Sequence, residues 1–282
     1  MSDTILITGA SGAVGRRTAE LLAERGVPLR LLVRDRSRAP QLPGAEIAVG
    51  DYANPSSLRV AFAGIGRALV VSGYAPEGER ARLHTNTFHA AAEAGVGHLV
   101  YLSFQGAAPT SRFPMARDHH QSEQALAACG VPWTSLRDNL YIDLLPEMFD
   151  ASGVVRGPAG DGAAAFVARE DVAQVAAAVL LAAAPPTGAH DVTGPAAVSL
   201  AEVAQLLSDL AGRPCATRAS RPRRGGAGAA RWARPTGRWT PGWAPTRRLP
   251  LANWPPLATP LHASPAGPRA TSRGISASTR IF

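Results

Sequence analysis

The chain has 282 residues, 46% of them apolar, enough to bury one large core with a small satellite lobe and too many for a peptide-sized module. Its net charge of +8 is divided unevenly: all 29 basic residues are arginine and all 21 acids lie at or before Asp209, so residues 1–209 carry −5 and residues 210–282 carry +13. The larger part therefore gives no sign of a nucleic-acid surface, and two cysteines, Cys129 and Cys215, are too few for a disulfide or metal framework, which suits a reducing compartment.

The first expected element is an apolar strand at Ile5–Ile7, reached with no basic leader before it, so no secretory signal is expected. Gly9, Gly12 and Gly15 follow at three-residue spacing, and a helix-period stretch runs from Val14 to Glu24. With 28 glycines in 282 residues, any given Gly-x-x-Gly-x-x-Gly frame arises by chance at about one position in a thousand, so the place of the triplet carries the reading rather than its spacing. Between a strand and a helix, glycines permit positive φ and let backbone N–H groups approach a pyrophosphate at the positive end of the helix. Thr8, Gly9, Ser11, Gly12, Ala13, Val14 and Gly15 are therefore the candidate cofactor-binding turn, Ser11 adding a hydroxyl.

Further along, LRLLV at 29–33, EIAV at 46–49, ALVV at 68–71 and HLVYL at 98–102 read as strands. Helix-period stretches run from Ser56 to Phe62, Glu79 to Ala94 and His119 to Ala128. Asn54-Pro55 and Pro114 look like helix starts, and Gly26, Gly95 and Gly130 stand where helices should stop. The strands lack in/out alternation, as expected when helices cover both faces of a parallel sheet. We expect a doubly wound α/β fold, a Rossmann domain over 1–140. After WTSL at 133–136 the pattern loosens into a short helix from Ile142 to Asp150, a Gly-rich turn at 153–162, a helix from Glu170 to Ala184, a strand at 189–193 and a helix from Leu200 to Ala211. This is the expected smaller substrate lobe, over 141–215. Its apolar run at 172–184 falls short of the roughly 20 residues of a membrane span, and we expect a cytoplasmic protein with no membrane partner.

ITGASGAVG at 7–15 resembles the glycine fingerprint of atypical short-chain dehydrogenase/reductases of the NmrA-like branch. GDYANPSSL at 50–58, HHQSE at 119–123, GVPWTSLR at 130–137 with DNLY at 138–141, and REDVA at 169–173 are similar, in that order, to segments of its NAD(P)H:quinone oxidoreductase-like corner. The resemblance covers about residues 4–218 and implies a dinucleotide-dependent reductase with a quinone-like acceptor.

A dinucleotide site usually shows an acid for NAD or an arginine for the 2′-phosphate of NADP at the end of the second strand. This chain offers VRDRSR at 33–38, with Arg34 first, so NADPH is expected over NADH although Asp35 dissents. Asp51 and Tyr52 belong near the adenine, or Asp51 in a turn, and Ser72 near the phosphates or ribose. Carbonyl-reducing relatives use Tyr-x-x-x-Lys, the Tyr as proton donor. Counting back from Glu123 puts His119 at the Lys position and Met115 at the Tyr position, so the phenolic acid is missing and hydride transfer to a strongly electrophilic acceptor is favoured. His119 is the candidate catalytic group, as relay or cofactor contact; its other reading is a helix-surface pair with Glu123. Phe104, Asn139 and Tyr141 are the candidate substrate contacts, and no metal site is expected. A non-catalytic NmrA-like redox sensor and a pathway-specific reductase or isomerase are the alternative functions, and a homodimer stays open.

From Gly212 onward the chain holds 11 of 24 prolines, four of five tryptophans and no acid or tyrosine. Reading a GC-rich gene out of frame yields this composition, whereas the resemblance implies acid-containing helices that complete the lobe. We therefore expect 216–282 to be a frame-shifted, irregular tail; a basic Trp-bearing arm for nucleic acid, or an ordered domain, is the alternative.

Overall fold

The computed structural model describes residues 3–76, 78–157 and 159–219. In chain order the elements are β1 (Ile5–Thr8), α1 (Ala13–Ala23), β2 (Leu29–Val33), β3 (Glu46–Val49), α2 (Pro55–Phe62), β4 (Arg67–Val70), α3 (Glu79–Glu93), β5 (His98–Phe104), α4 (Pro114–Ala128) and β6 (Trp133–Asp138). They continue with α5 (Leu145–Met148), β7 (Val154–Gly157), β8 (Ala163–Ala164), α6 (Arg169–Leu181), β9 (Gly188–Asp191), β10 (Val198–Ser199), α7 (Leu200–Ala211) and β11 (Ala216–Ala219).

Seven strands form one parallel sheet in the order β3-β2-β1-β4-β5-β6-β9. Successive side chains of a strand point to opposite faces, and here both faces are covered. Ile5, Ile7, Leu29 and Leu31 pack with α1 and α6, while Leu6, Leu32, Phe62, Phe88, Tyr101 and Leu126 pack with α2, α3 and α4. Each fully buried large side chain contributes roughly 1.5–3 kcal/mol, and covering both faces explains why the strands read as unbroken apolar runs. The winding direction reverses between β1 and β4, so the crevice for a ligand opens outside the carboxyl ends of these two strands.

The main departures from sequence expectation lie after β6. β9 pairs with β6 and α6 packs on α1, so both belong to the large sheet and its covering layer, not to a lobe that starts at 141. What remains of the lobe is α5, β7, β8, β10, α7 and β11 around Leu145, Phe149, Val155, Phe166, Val203 and Leu207. The Gly-rich turn at 153–162 begins as a strand, because Val154–Gly157 pair in parallel with Ala216–Ala219. Regular structure thus runs four residues into the segment expected to be irregular, held by a partner some 60 residues away that no local pattern announces. The remaining tail, 220–282, lies outside the described residues.

Other differences are local. α4 starts at Pro114, whose ring presets the first helical φ; its polar first turns hid the period. α6 stops at Leu181, with Arg67 Nη1 donating to the carbonyls of Leu180 and Ala182 at 2.6 and 2.7 Å. The short helix expected from Ile142 is a 3-10 turn at Ile142–Leu144 followed by the single turn α5.

Candidate cofactor and acceptor site

The three glycines of the first turn do different work. Gly9 has φ +59°, a left-handed conformation, and a Cβ there would lie 3.0 Å from Val71 Cβ. At Gly15 a Cβ would stand 2.5 Å from the Gly9 carbonyl oxygen, so this glycine lets α1 pack directly on the turn. Gly12, the N-cap of α1, has an ordinary φ of −89°, and its missing Cβ would meet one carbonyl oxygen at 3.3 Å, which a small shift relieves. Its interior contacts demand glycine least. No side chain caps the first turn of α1, and Gly12 and Ala13 are exposed, leaving helix-end N–H groups for an anion. That is a cradle a branched side chain would fill, and it fits a dinucleotide pyrophosphate.

Thr8 and Tyr52 brace the turn from behind. Tyr52 donates its hydroxyl hydrogen to the Val71 carbonyl at 2.8 Å, Thr8 Oγ1 accepts the Val71 N–H at 2.8 Å, and Thr8 in turn bonds the Tyr52 oxygen. The ring of Tyr52 lies within 3.3 Å of where a Gly73 Cβ would be. At the end of β2, Arg34 is exposed and makes no hydrogen bond or ion pair with the described residues, whereas Arg36 donates to the Ile47 carbonyl at 3.0 Å. Asp35, the acid that argued for NAD, accepts from Ser37 N–H at 2.9 Å and Ser37 Oγ–H at 2.7 Å, bonds that hold its carboxyl below the ordinary range. Asp51 sits in a turn, accepting the Ala53 N–H at 2.8 Å.

Behind the loop that follows β4 lies a buried polar network. His84, fully buried on α3, accepts the Gly73 N–H through Nε2 at 3.1 Å, and its Nδ1 lies 2.9 Å from Ser122 Oγ and 3.1 Å from Tyr101 Oη. Tyr101 Oη is 2.8 Å from His119 Nδ1, and Ser122 Oγ donates to the Asp118 carbonyl at 2.9 Å. Arg80, itself buried, donates to Ser72 Oγ at 3.1 Å and places Nε 3.7 Å from Asp118 Oδ2. Burial first and the Arg80 guanidinium second hold both imidazoles neutral: His84 falls to about 3, and His119 lies well below the usual histidine value.

His119 is therefore not the helix-surface partner of Glu123. It is 3% exposed, and Glu123 turns the other way. Arg137 grips both Glu123 oxygens at 2.9 and 2.6 Å, and Ser103 and Ser135 donate to Oε1 at 2.7 and 2.8 Å. Burial alone would raise this carboxyl; those bonds outweigh it and hold it below its ordinary value.

Beyond β5 and β6, Phe104 lies 5.3 Å from the Phe113 ring and 6.2 Å from His119. Asn139 is tied by its amide to Gln105 Oε1, and Gln105 donates to Asp191 Oδ2 at 3.1 Å. Tyr141 donates to Asp138 Oδ2 and carries the Arg169 guanidinium 5.3 Å from its ring centroid. Burial pushes the Asp138 carboxyl up to about 7 against the lowering effect of the Tyr141 bond.

Residues 9–183 match the NAD(P)H-binding family. The chain belongs to that family. It is an NAD(P)H-dependent oxidoreductase, 34% identical over 215 residues to an NAD(P)H azoreductase of Xenophilus azovorans, with 74% of each chain covered. It is 33% identical over 217 residues to quinone oxidoreductase 2 of Escherichia coli, covering 74% of this chain and 75% of that one. The structure of the latter with NADPH bound superposes with a TM-score of 0.69 at 31% identity over 77% of this chain and 78% of that one. The Citrobacter sp. triphenylmethane reductase complexed with NADP(H) gives a TM-score of 0.71 at 30% identity over 77% and 79% of the two chains. These matches bear out the resemblance drawn from the motifs.

Within this NAD(P)H-binding fold, the expected residues follow the carboxyl ends of successive parallel strands: the glycine turn after β1, Arg34 after β2, Asp51 and Tyr52 after β3, Ser72 after β4, Phe104 at the end of β5, Asn139 and Tyr141 after β6. Sequence reasoning missed Arg80, His84 and Tyr101. Tyr101 reads as one more apolar strand residue, and only the packing of α3 and α4 against β5 reveals its polar role. No helix among the described residues is long and apolar enough to cross a membrane.

Proposed function

We infer that the protein is an NADPH-dependent reductase of flat, electrophilic acceptors, quinones foremost. The observation that carries the cofactor choice is the pair at the end of β2: among the described residues Arg34 has no partner, while Asp35 is bonded to Ser37. An unengaged guanidinium fork suits a 2′-phosphate, and an acid already bonded to its own turn is a poor ribose ligand. When bound, NADPH supplies the hydride. The chain's own residues bind and orient: the glycine turn receives the pyrophosphate, Arg34 the 2′-phosphate, and Ser72 is fixed beside the crevice by Arg80.

The acceptor class follows from what α4 lacks. Met115 occupies the turn where a carbonyl reductase needs a phenol, so this chain offers no strong acid there, and an acceptor whose oxygens take protons from water is the best match. Phe104 and Tyr141 would flank a planar ring. The names of the azoreductase and quinone oxidoreductase relatives agree with such acceptors. The test is loss of reduced-cofactor absorbance with a panel of quinones, an azo dye and a triphenylmethane dye, using NADPH and NADH. Fastest turnover of a quinone with NADPH is expected. Tight binding of NADP without turnover of any acceptor would overturn the enzyme reading in favour of a sensor.

A further inference from the structure

Two groups in the buried network have only one possible role, and the roles of the others are assigned from them. The Gly73 N–H can only donate, so His84 Nε2 accepts and a neutral His84 carries its hydrogen on Nδ1. The Asp118 carbonyl can only accept, so the Ser122 hydroxyl donates to it and receives the His84 Nδ1–H. With a hydrogen already on His84 Nδ1, the Tyr101 hydroxyl cannot donate there; its other neighbour, the Ser122 oxygen, already receives the His84 hydrogen, so the Tyr101 hydrogen is assigned to His119 Nδ1, 2.8 Å away. A neutral His119 must then carry its own hydrogen on Nε2. That nitrogen has no partner among the described residues. Of the sealed side-chain nitrogens and oxygens described, only Arg80 Nε and Arg213 Nη2 lack one, so His119 Nε2 reaches solvent although the residue is 3% exposed. Its ring lies beside Phe104, at the carboxyl end of β5, the strand next to β4.

We propose that His119 works as a neutral hydrogen-bond donor, presenting Nε2–H to the acceptor oxygen that gains charge as hydride arrives, and that Tyr101 is the positioning residue that fixes this tautomer. The proposal rests on the reductase reading above. Hydride brings two electrons onto the acceptor and leaves the nicotinamide oxidised. The acceptor oxygen becomes an anion and takes its proton from water, while His119 ends with the hydrogen it began with. A preorganised donor stabilises that anion without a proton leaving the protein. Around His119 stand Arg80 and His84 from α3, Tyr101 and Phe104 from β5, and Asp118 and Glu123 on its own helix, the last paired with Arg137 of β6.

The test is nitrogen-15 NMR of the full-length protein, with His119 assigned among the seven histidines by its loss in His119→Gln. At pH 7 the wild type should show hydrogen on Nε2 and a bare Nδ1. Tyr101→Phe, with its fold checked by circular dichroism, should mix the tautomers, and saturating NADPH should shift the wild-type Nε2 signal. In kinetics, His119→Ala should lower kcat about 100-fold with the KM for NADPH nearly unchanged. His119→Gln, which keeps an N–H near the place of Nε2, should stay within about tenfold of wild type by the same reasoning. Hydrogen on Nδ1, an imidazolium at pH 7, no response to NADPH, or an unchanged kcat in His119→Ala overturns the proposal. If the wild type reduces no quinone, the acceptor reading fails by itself, and the NMR outcomes still decide the donor assignment.

Discussion

At the scale of single residues, Gly12 and Arg34 separate ligand binding from folding. Gly12 has exposed surroundings and an ordinary φ, so Gly12→Val should leave the melting temperature within a few degrees, by roughly 1 kcal/mol at most, while dinucleotide binding falls below detection. Retained affinity for NADPH in that variant would mean the turn holds no pyrophosphate. Arg34 has no partner among the described residues, so Arg34→Ala should not affect stability, but it should remove the proposed charge-assisted contact to the 2′-phosphate, worth about 1.5–3 kcal/mol. NADPH affinity is then expected to fall some ten- to hundredfold with NADH affinity almost unchanged; calorimetric titration of both cofactors reads the difference, and equal losses would remove Arg34 from the site.

Among elements, the seat of α1 on its own turn is the most constrained contact. A Cβ at Gly15 would lie 2.5 Å from Gly9 O and 2.9 Å from Gly9 C, backbone atoms that cannot swing aside. Gly15→Ala should therefore displace α1, costing about 1–3 kcal/mol in denaturant melts, and weaken NADPH binding as well. It is the reverse of the Gly12 case, where binding should be lost and stability kept. α4 is fastened differently, through Glu123 to Ser103 of β5 and to Ser135 and Arg137 of β6. Both the helix and the acid were legible in the sequence. The partners were not, because an i, i+4 rule can only propose neighbours on the same helix, and these lie on two strands 12 to 20 residues away.

For the whole molecule, the buried imidazoles set the response to acid. His84 and His119 are neutral in the fold with values depressed below 6.5, while in the unfolded chain they titrate near 6.5. The unfolded state therefore binds more protons below that pH, and stability, fully present above 6.5, is lost progressively as pH falls from 6.5 toward 3. Asp138, raised to about 7 in the fold, works the other way by taking up a proton over the same range, one group against two, so we expect the melting temperature to drop between pH 7 and 5. His84→Gln, less stable at pH 7, should lose less over the same interval; parallel curves would show that the network does not control acid lability. The same scale bears on the tail. The family match ends at residue 183 and every residue proposed above to face the cofactor precedes it, so a chain ending at Ala219 should bind NADPH as the full chain does.

Sequence alone determined the doubly wound sheet, the glycine turn and the class of cofactor, because these rest on local signals: apolar runs, helix period, and glycines at a strand-to-helix turn whose spacing matters only there. It also supplied His119 as a candidate, without its state. Tertiary structure decided what spans long separations. β7 pairs with β11 across some 60 residues, β9 joins the main sheet from inside the expected lobe, and Asp35 is taken up by its own turn. The surroundings of His119 belong to the same group. The tautomer proposed for it starts from a Gly73 N–H and an Asp118 carbonyl that only the packing of α3 and α4 beneath the β4 loop brings into one hydrogen-bonded network.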